Sequence, residues 1–460
     1  MTNQAPLDDL IDRAIKGVKE IQDKKQDELK KWLGSQPFLP PSIPLRGRGV
    51  CLITDDGLQA LHEFGRRWRD EDGKRRSRID AGAAAQLAAK VFGDMIDGEV
   101  LKGMPPDTDA KRAFKELLET NLEARSHELE YYFPCQLFDD EHVPPFEVGP
   151  VCFQKREEWL DGVAKRADPS KTPWIAHVES YWAGKAALPD TEATAKAIAA
   201  EFISNWVATV RVSERTREIA QATAEVAVRV AIDTLGLTLH APMARNLRGP
   251  GDEIRARLKR TFSQLKGRDI GYSSSLDLPR LAQRPGDYAA FIADTERLRV
   301  AAGKAVTILL ELSPTAPTPT LHRRWTEAMH WFGEARRETV PRSALVKFGI
   351  TLDVLAQGKR AKGILDLCCI LFDMKKTDPA TGAGHDLTWL IETIYNDGRS
   401  QIAHGGKLFL FEDLPISREG ADYVASAALE RYVRYLDVYS GADNFDDFAR
   451  AIPTLRARLV

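Results

Sequence analysis

Cysteine is scarce in this chain, neither sign of charge prevails, and long apolar runs are missing. The five cysteines among 460 residues (Cys51, Cys135, Cys152, Cys368 and Cys369) are odd in number and scattered, and two sit side by side in the apolar run "ILDLCCILF". That pattern excludes a disulfide framework and points to reduced, mostly buried thiols. Cys135, His142 and Cys152 lie close in sequence but have no zinc-ligand spacing, so neither a structural metal nor a cofactor is expected. With 65 Lys plus Arg against 67 Asp plus Glu, the formal net charge is -2. No global field therefore drives the protein onto nucleic acid or membrane, and any polyanion site must be a local patch. The opening "MTNQAPLDDLIDRAIKG" has neither a basic segment nor an apolar one, and no run is long enough to span a bilayer. A soluble, cytoplasmic protein without a membrane partner is expected.

What is present is ordinary globular composition, 43% hydrophobic and 29% charged, at a length that allows roughly three domains. Most of the patterning is helical. In residues 1–32, Ile11, Ala14, Val18 and Ile21 recur every three or four positions, which predicts a charged helical arm ended by the prolines of "SQPFLPPSIP". The β-prone "GVCLIT" follows, then helical segments through "DAGAAAQLAAKVFGDMI". Residues 129–153, "LEYYFPCQLFDDEHVPPFEVGPVCF", carry two aromatic and β-branched runs around an acidic, proline-containing turn. They predict a small antiparallel β element. From about Asp190 to Leu237 the pattern reads as helix again, with Ile198, Phe202 and Trp206 on one stripe and Ile219, Val226 and Val230 on the next.

Two basic stretches are candidate RNA contacts. "RRWRDEDGKRRSRID" includes Arg75, Arg76 and Arg78, and reads as a solvated loop or a phosphate patch. "ARNLRGPGDEIRARLKRTFSQLKGRDIGYSSS" includes Arg255, Arg257 and Arg260 and is punctuated by glycine and serine.

The three prolines of "LSPTAPTPT", Leu312 to Thr320, mark a linker. The expected division is a mixed, α-rich N-terminal region over 1–317 and a helical bundle over 318–460. Beyond the linker, Trp325, Ala328, Phe332 and Ala335 space as 3, 4, 3, as do Leu345, Phe348, Leu352 and Leu355. Ala425, Ala428, Tyr432 and Leu436 behave similarly. Amphipathic helices joined by short connections predict an up-and-down bundle.

Late in that region stands "YNDGRSQIAHGGKLF". A helix is expected to start at an Asp386 N-cap, to bury Leu387, Leu390, Ile391, Ile394 and Ile402, and to end at the paired glycines. On an ideal α-helix Arg399 and His404 fall about 110° to either side of this stripe, splayed ~140° from each other. Both are then surface residues. An arginine followed four to six residues later by a histidine is a weak signal in a chain with 40 arginines and nine histidines, since roughly two matches arise by chance. Arg324…His330 is a second match.

Context separates the two. "RSQIAHG", Arg399 to Gly405, resembles the R-S-x-x-x-H-G motif of the Apea-like branch of the HEPN superfamily, residue for residue. "WFGEARRETVPRSALVKFGITLDVLAQG" is similar to the first two helices of that domain, with Asp353 at its acidic position, where relatives often carry glutamate. The resemblance covers about residues 318–455, and "PFEVGPVCFQKREEWL" is similar to upstream regions of such proteins. It implies a metal-independent endoribonuclease in which His404 moves protons at the RNA 2'-OH or the leaving 5'-oxygen, Arg399 grips the scissile phosphate, and Ser400 orients phosphate or histidine. Asp353 and Gly405 would support the site. It further implies a homodimer through the C-terminal bundle and a defence or toxin-type effector whose N-terminal region senses a phage-derived or other trigger. Gly406 stands where an AMP-accepting branch of the superfamily carries tyrosine, so that relationship is not expected. The competing expectation is a non-catalytic module in which the same residues only dock RNA or nucleotide.

Overall fold

A computed structural model describes residues 6–35, 41–46, 49–97, 108–166, 168, 172–252, 257–264, 270–277, 286–380, 384–400, 402 and 416–459. Among the described residues the fold is mainly α, 66% helical, and no helix is long and apolar enough to cross a membrane. The chain forms two compact units, Met1–Leu129 with Val212–Thr223, and Glu130–Arg211 with Ala224–Val460.

In the first unit the Leu7–Gln22 helix buries Ile11, Ala14, Val18 and Ile21, as their spacing predicts. It is no free arm, because it packs on the Asp55–Asp70 helix over a core that includes Phe64, Trp68, Phe92 and Phe114. The charge run expected as a loop is helical. Phe64 and Trp68 carry the apolar stripe on beneath the arginines, and the Asp72 carboxylate then accepts from Lys74 N at 2.8 Å to start a second helix, Gly73–Arg78.

The expected β element lies in a four-stranded sheet ordered His127–Cys135, Trp206–Arg215, Val151–Lys155, Phe146–Val148. Its last two strands pair antiparallel with Phe146 opposite Phe153, but the two predicted runs are separated by Trp206–Arg215, which pairs Cys152 with Thr209. This corrects the helical reading of Trp206. The helix carrying Ile198 ends at Glu201, and "WVATVRVSER" is rich in β-branched residues with Trp206, Ala208, Val210 and Val212 buried at every second position. A period of two and χ1-stiff side chains favour strand. The second basic stretch is likewise a hairpin, Arg257–Gln264 paired antiparallel with Ile270–Asp277.

The C-terminal bundle contains the Pro319–Arg337, Pro341–Leu355, Arg360–Phe372, Arg418–Asp437 and Phe445–Leu459 helices. All twelve residues of its three predicted stripes are buried. The expected boundary at 317/318 falls inside the second compact unit. The Glu296–Leu310 helix, upstream of the linker, packs on both the Pro319–Arg337 and Arg418–Asp437 helices. The linker itself is tied down, since Asp443 accepts from the Thr320 and Leu321 amides at 2.8 and 3.0 Å and satisfies donors at the helix start. Buried charge adds a second tie to the upstream chain. Arg337 pairs with Asp233 at 3.0 Å, and Arg336 donates to the Gly236 carbonyl at 2.6 Å.

Candidate functional site

Asp386 accepts from Trp389 N at 2.8 Å and caps the Leu387–Glu392 helix, as expected. Leu387, Leu390, Ile391 and Ile394 are buried, while Ile402 is half-buried. The helix then changes character, because Thr393–Ser400 is a π-helix. Its i→i+5 winding widens the turn and shifts Arg399 and Ser400 from the ideal α register. The splay calculated on a 100° step therefore does not hold at Arg399. That residue lies against the Pro341–Leu355 helix, half-buried rather than on an open surface.

Close approach of the two helices depends on a glycine. A Cβ on Gly349 would stand 2.8 Å from Arg399 Cβ and 3.5 Å from the Ile394 carbonyl oxygen. With that space free, Arg399 Nη2 reaches Asp353 Oδ2 at 3.3 Å. Arg399 Nη1 donates to the Tyr395 hydroxyl at 2.6 Å, and the guanidinium carbon lies 5.0 Å from the Tyr395 ring centre. The Arg399 side chain keeps 33% of its surface exposed, whereas that of Asp353 keeps 11%. A guanidinium held on one side by a withdrawn carboxylate and open on the other is oriented for a second oxyanion.

Asp353 is itself fixed by the turn that follows it. Its Oδ1 accepts from Arg360 N at 3.1 Å and its carbonyl accepts from Gly358 N at 2.8 Å. Gln357, Gly358 and Arg360 all adopt left-handed backbone, which the two non-glycine residues pay for in strain. Ser400 closes the π-helix and is half-buried. His404 and Gly405 lie outside the described residues.

The structure thus brings Asp353 and Arg399 together and adds Tyr395 and Gly349, which the motif reading missed. Both left signals in the sequence. Tyr395 stands four residues before Arg399, a spacing that makes helical neighbours, and Gly349 is a lone glycine in a helical pattern, a mark of close approach. At the second Arg…His match, Arg324 Nη1 donates to the Val354 carbonyl at 3.3 Å, while the His330 ring lies near that of Trp331.

The candidate RNA-contacting arginines are placed unequally. Arg75 is engaged in the fold of the first unit, with Nε on Glu119 at 2.6 Å, Nη1 on the Trp68 carbonyl at 2.8 Å and its guanidinium over the Trp68 ring. Arg78 Nε donates to the Glu214 carbonyl at 3.0 Å, and Arg76 is exposed. Arg257 and Arg260 stand on the first hairpin strand, opposite Asp277 and Ser274. Arg255 lies outside the described residues.

No protein-family model, curated protein or solved structure matches the chain.

Proposed function

We propose that the C-terminal bundle is a HEPN-type, metal-independent endoribonuclease acting on single-stranded RNA. Support comes from one contact. Arg399, the arginine of "RSQIAHG", rests on Asp353, the acidic position of the similar helix pair, at 3.3 Å with a third of its side chain open.

The chemistry follows from the side chains. His404 takes the proton of an RNA 2'-OH as that oxygen bonds to the adjacent phosphorus. The bond from phosphorus to the 5'-oxygen breaks, and a proton from the imidazolium of the same or a second His404 goes to the leaving oxygen. The products are a 2',3'-cyclic phosphate and a 5'-hydroxyl. Arg399 offsets charge growing on the phosphoryl oxygens, with Asp353 and Tyr395 limiting the rotamers it samples. Ser400 orients the phosphate or the histidine. Two chains meeting through their bundles would set two such sites around one cleft and exclude water. The upstream chain would sense a trigger and restrain a nuclease that otherwise harms its own cell, as in a defence or toxin-type effector.

The test is cleavage of single-stranded RNA with mapped ends. Activity that persists in EDTA, leaves a 2',3'-cyclic phosphate and vanishes in His404→Ala is the expected result. RNA binding without cleavage in the intact chain would make the module a non-catalytic one, and ends bearing 3'-hydroxyls would reject the mechanism.

A further inference from the structure

A cavity of about 520 Å³ opens in the second unit, lined by the Glu296–Leu310, Arg418–Asp437 and Phe445–Leu459 helices. Four arginines, Arg297, Arg431, Arg434 and Arg456, line it against two acids, Glu296 and Asp437. Val300, Ala301 and Tyr435 supply its apolar part. Nothing in the Arg399 site draws on these residues.

The bonding of the arginines divides them into scaffold and reserve. Arg456 is held by Asp373 and the Ile370 carbonyl, and Arg434 by Glu430 at 3.0 Å. Arg431 Nη1 donates to the Leu371 carbonyl at 3.1 Å while its guanidinium lies over the Phe372 ring, so it has no carboxylate among these contacts. Arg297 has no side-chain partner among the described residues, and Arg434 Nε is buried without an acceptor. Of the acids, Asp437 is already matched by Lys304 at 2.6 Å. The wall is therefore short of negative charge. Next to that charge Val300, 54% exposed, presents an aliphatic side chain to water.

These two features together select a ligand. A bare inorganic anion would leave the apolar part wet, and a purely apolar molecule would desolvate guanidinium groups without pairing them. A molecule with a phosphate at one end and a flat ring at the other meets both needs, because guanidinium planes and tyrosine rings accept stacked bases and the same arginines fork onto phosphate. Glu296 offers an acceptor for a ribose hydroxyl or an exocyclic amine. The volume suits one such molecule rather than a polymer. We infer that this cavity is a binding site for a nucleoside phosphate, independent of the Arg399 centre.

Calorimetric titration of the full chain with AMP, ATP and inorganic phosphate tests this without any cleavage assay, so it stands or falls apart from the ribonuclease reading. Arg297→Glu and Val300→Asp are the variants, since neither side chain bonds to the rest of the fold. The expected result is one saturable nucleotide site per chain, at least about tenfold tighter than phosphate, weakened about tenfold or more in both variants with unchanged thermal midpoint. Three results would overturn it: no saturation by either nucleotide up to about 1 mM, phosphate binding as tightly as the nucleotides, or nucleotide binding untouched in both variants.

Discussion

Arg336 and Asp422 form a two-pronged ion pair from which water is excluded. Nε contacts both carboxylate oxygens at 3.1 Å and Nη2 contacts Oδ1 at 2.6 Å, with the two side chains 4% and 1% exposed. Ser426 bonds both partners, at 2.9 Å to the guanidinium and 3.1 Å to the carboxylate, and the Gly236 carbonyl adds a contact from outside the predicted bundle. Such a pair is costly to break but not necessarily costly to replace whole. Asp422→Ala should lower unfolding free energy by about 3–5 kcal/mol, because it strands a buried cation. The double variant Arg336→Met, Asp422→Leu should lose less than Asp422→Ala alone in denaturant titrations. Equal losses would mean that the Gly236 and Ser426 bonds matter more than the carboxylate.

The same cluster bears on truncation. A fragment over 318–460 loses the Gly236 carbonyl from Arg336, Asp233 from Arg337, Lys304 from Asp437 and the packing of the Glu296–Leu310 helix. It should melt well below the full chain or be cleaved throughout by limited proteolysis, whereas a fragment over 224–460 should resist better. Release of the proposed restraint on RNA cleavage is then better sought with point variants in the intact protein than by cutting at the linker.

Gly349→Ala probes the site without touching a chemical group. The added methyl would sit 2.8 Å from Arg399 Cβ, so the two helices must part or the arginine must move. RNA cleavage should fall by about a hundredfold, as expected when a positioned charge shifts by an ångström, with circular dichroism unchanged. Full activity in this variant would remove the Asp353-supported pose from the mechanism.

Arg399→Ala and His404→Ala should each abolish most cleavage, but the former needs a stability control. Arg399 is half-buried on Asp353, and its removal should cost about 1–2 kcal/mol, more than an open surface arginine would. Arg324→Ala, at the chance match, should leave the chemistry intact while costing a similar amount through its Val354 bond. Arg75→Ala should lower stability of the first unit through Glu119 and Trp68, so loss of RNA binding there is interpretable only beside an intact melting curve.

The acid side of the stability curve should report Glu338. The Lys347 ammonium at 2.9 Å, then the Val340 amide at 3.1 Å, hold this carboxyl below the usual carboxylate range, bridging the first two bundle helices. A depressed folded-state value means that the contribution is present above the unfolded value of about 4.3 and is lost as pH falls through the folded one. Glu338→Gln should therefore be less stable than the parent at pH 7, with the gap closing below about pH 4. A gap independent of pH would show that packing, not charge, is at work.

The sequence by itself determined the stripes. Trp325, Phe332, Phe348 and Tyr432 had to be core because a 3.6-residue period leaves such side chains only one face to share, and Asp386 had to cap because its carboxylate is the local acceptor for orphan amides. Tertiary structure decided what local pattern leaves degenerate. Trp206 taken with Ile198 and Phe202 fits a helical stripe, and taken with the residues after it fits a strand; pairing opposite Lys155 in the sheet chooses the strand. The linker prolines mark a break in helix, not a break in the core, since burial depends on Glu296–Leu310 and Gly236 arriving from upstream. Arg399 was legible as a residue type, but its orientation was not. A π-turn and a distant glycine set it against Asp353, and neither follows from counting residues along one ideal helix.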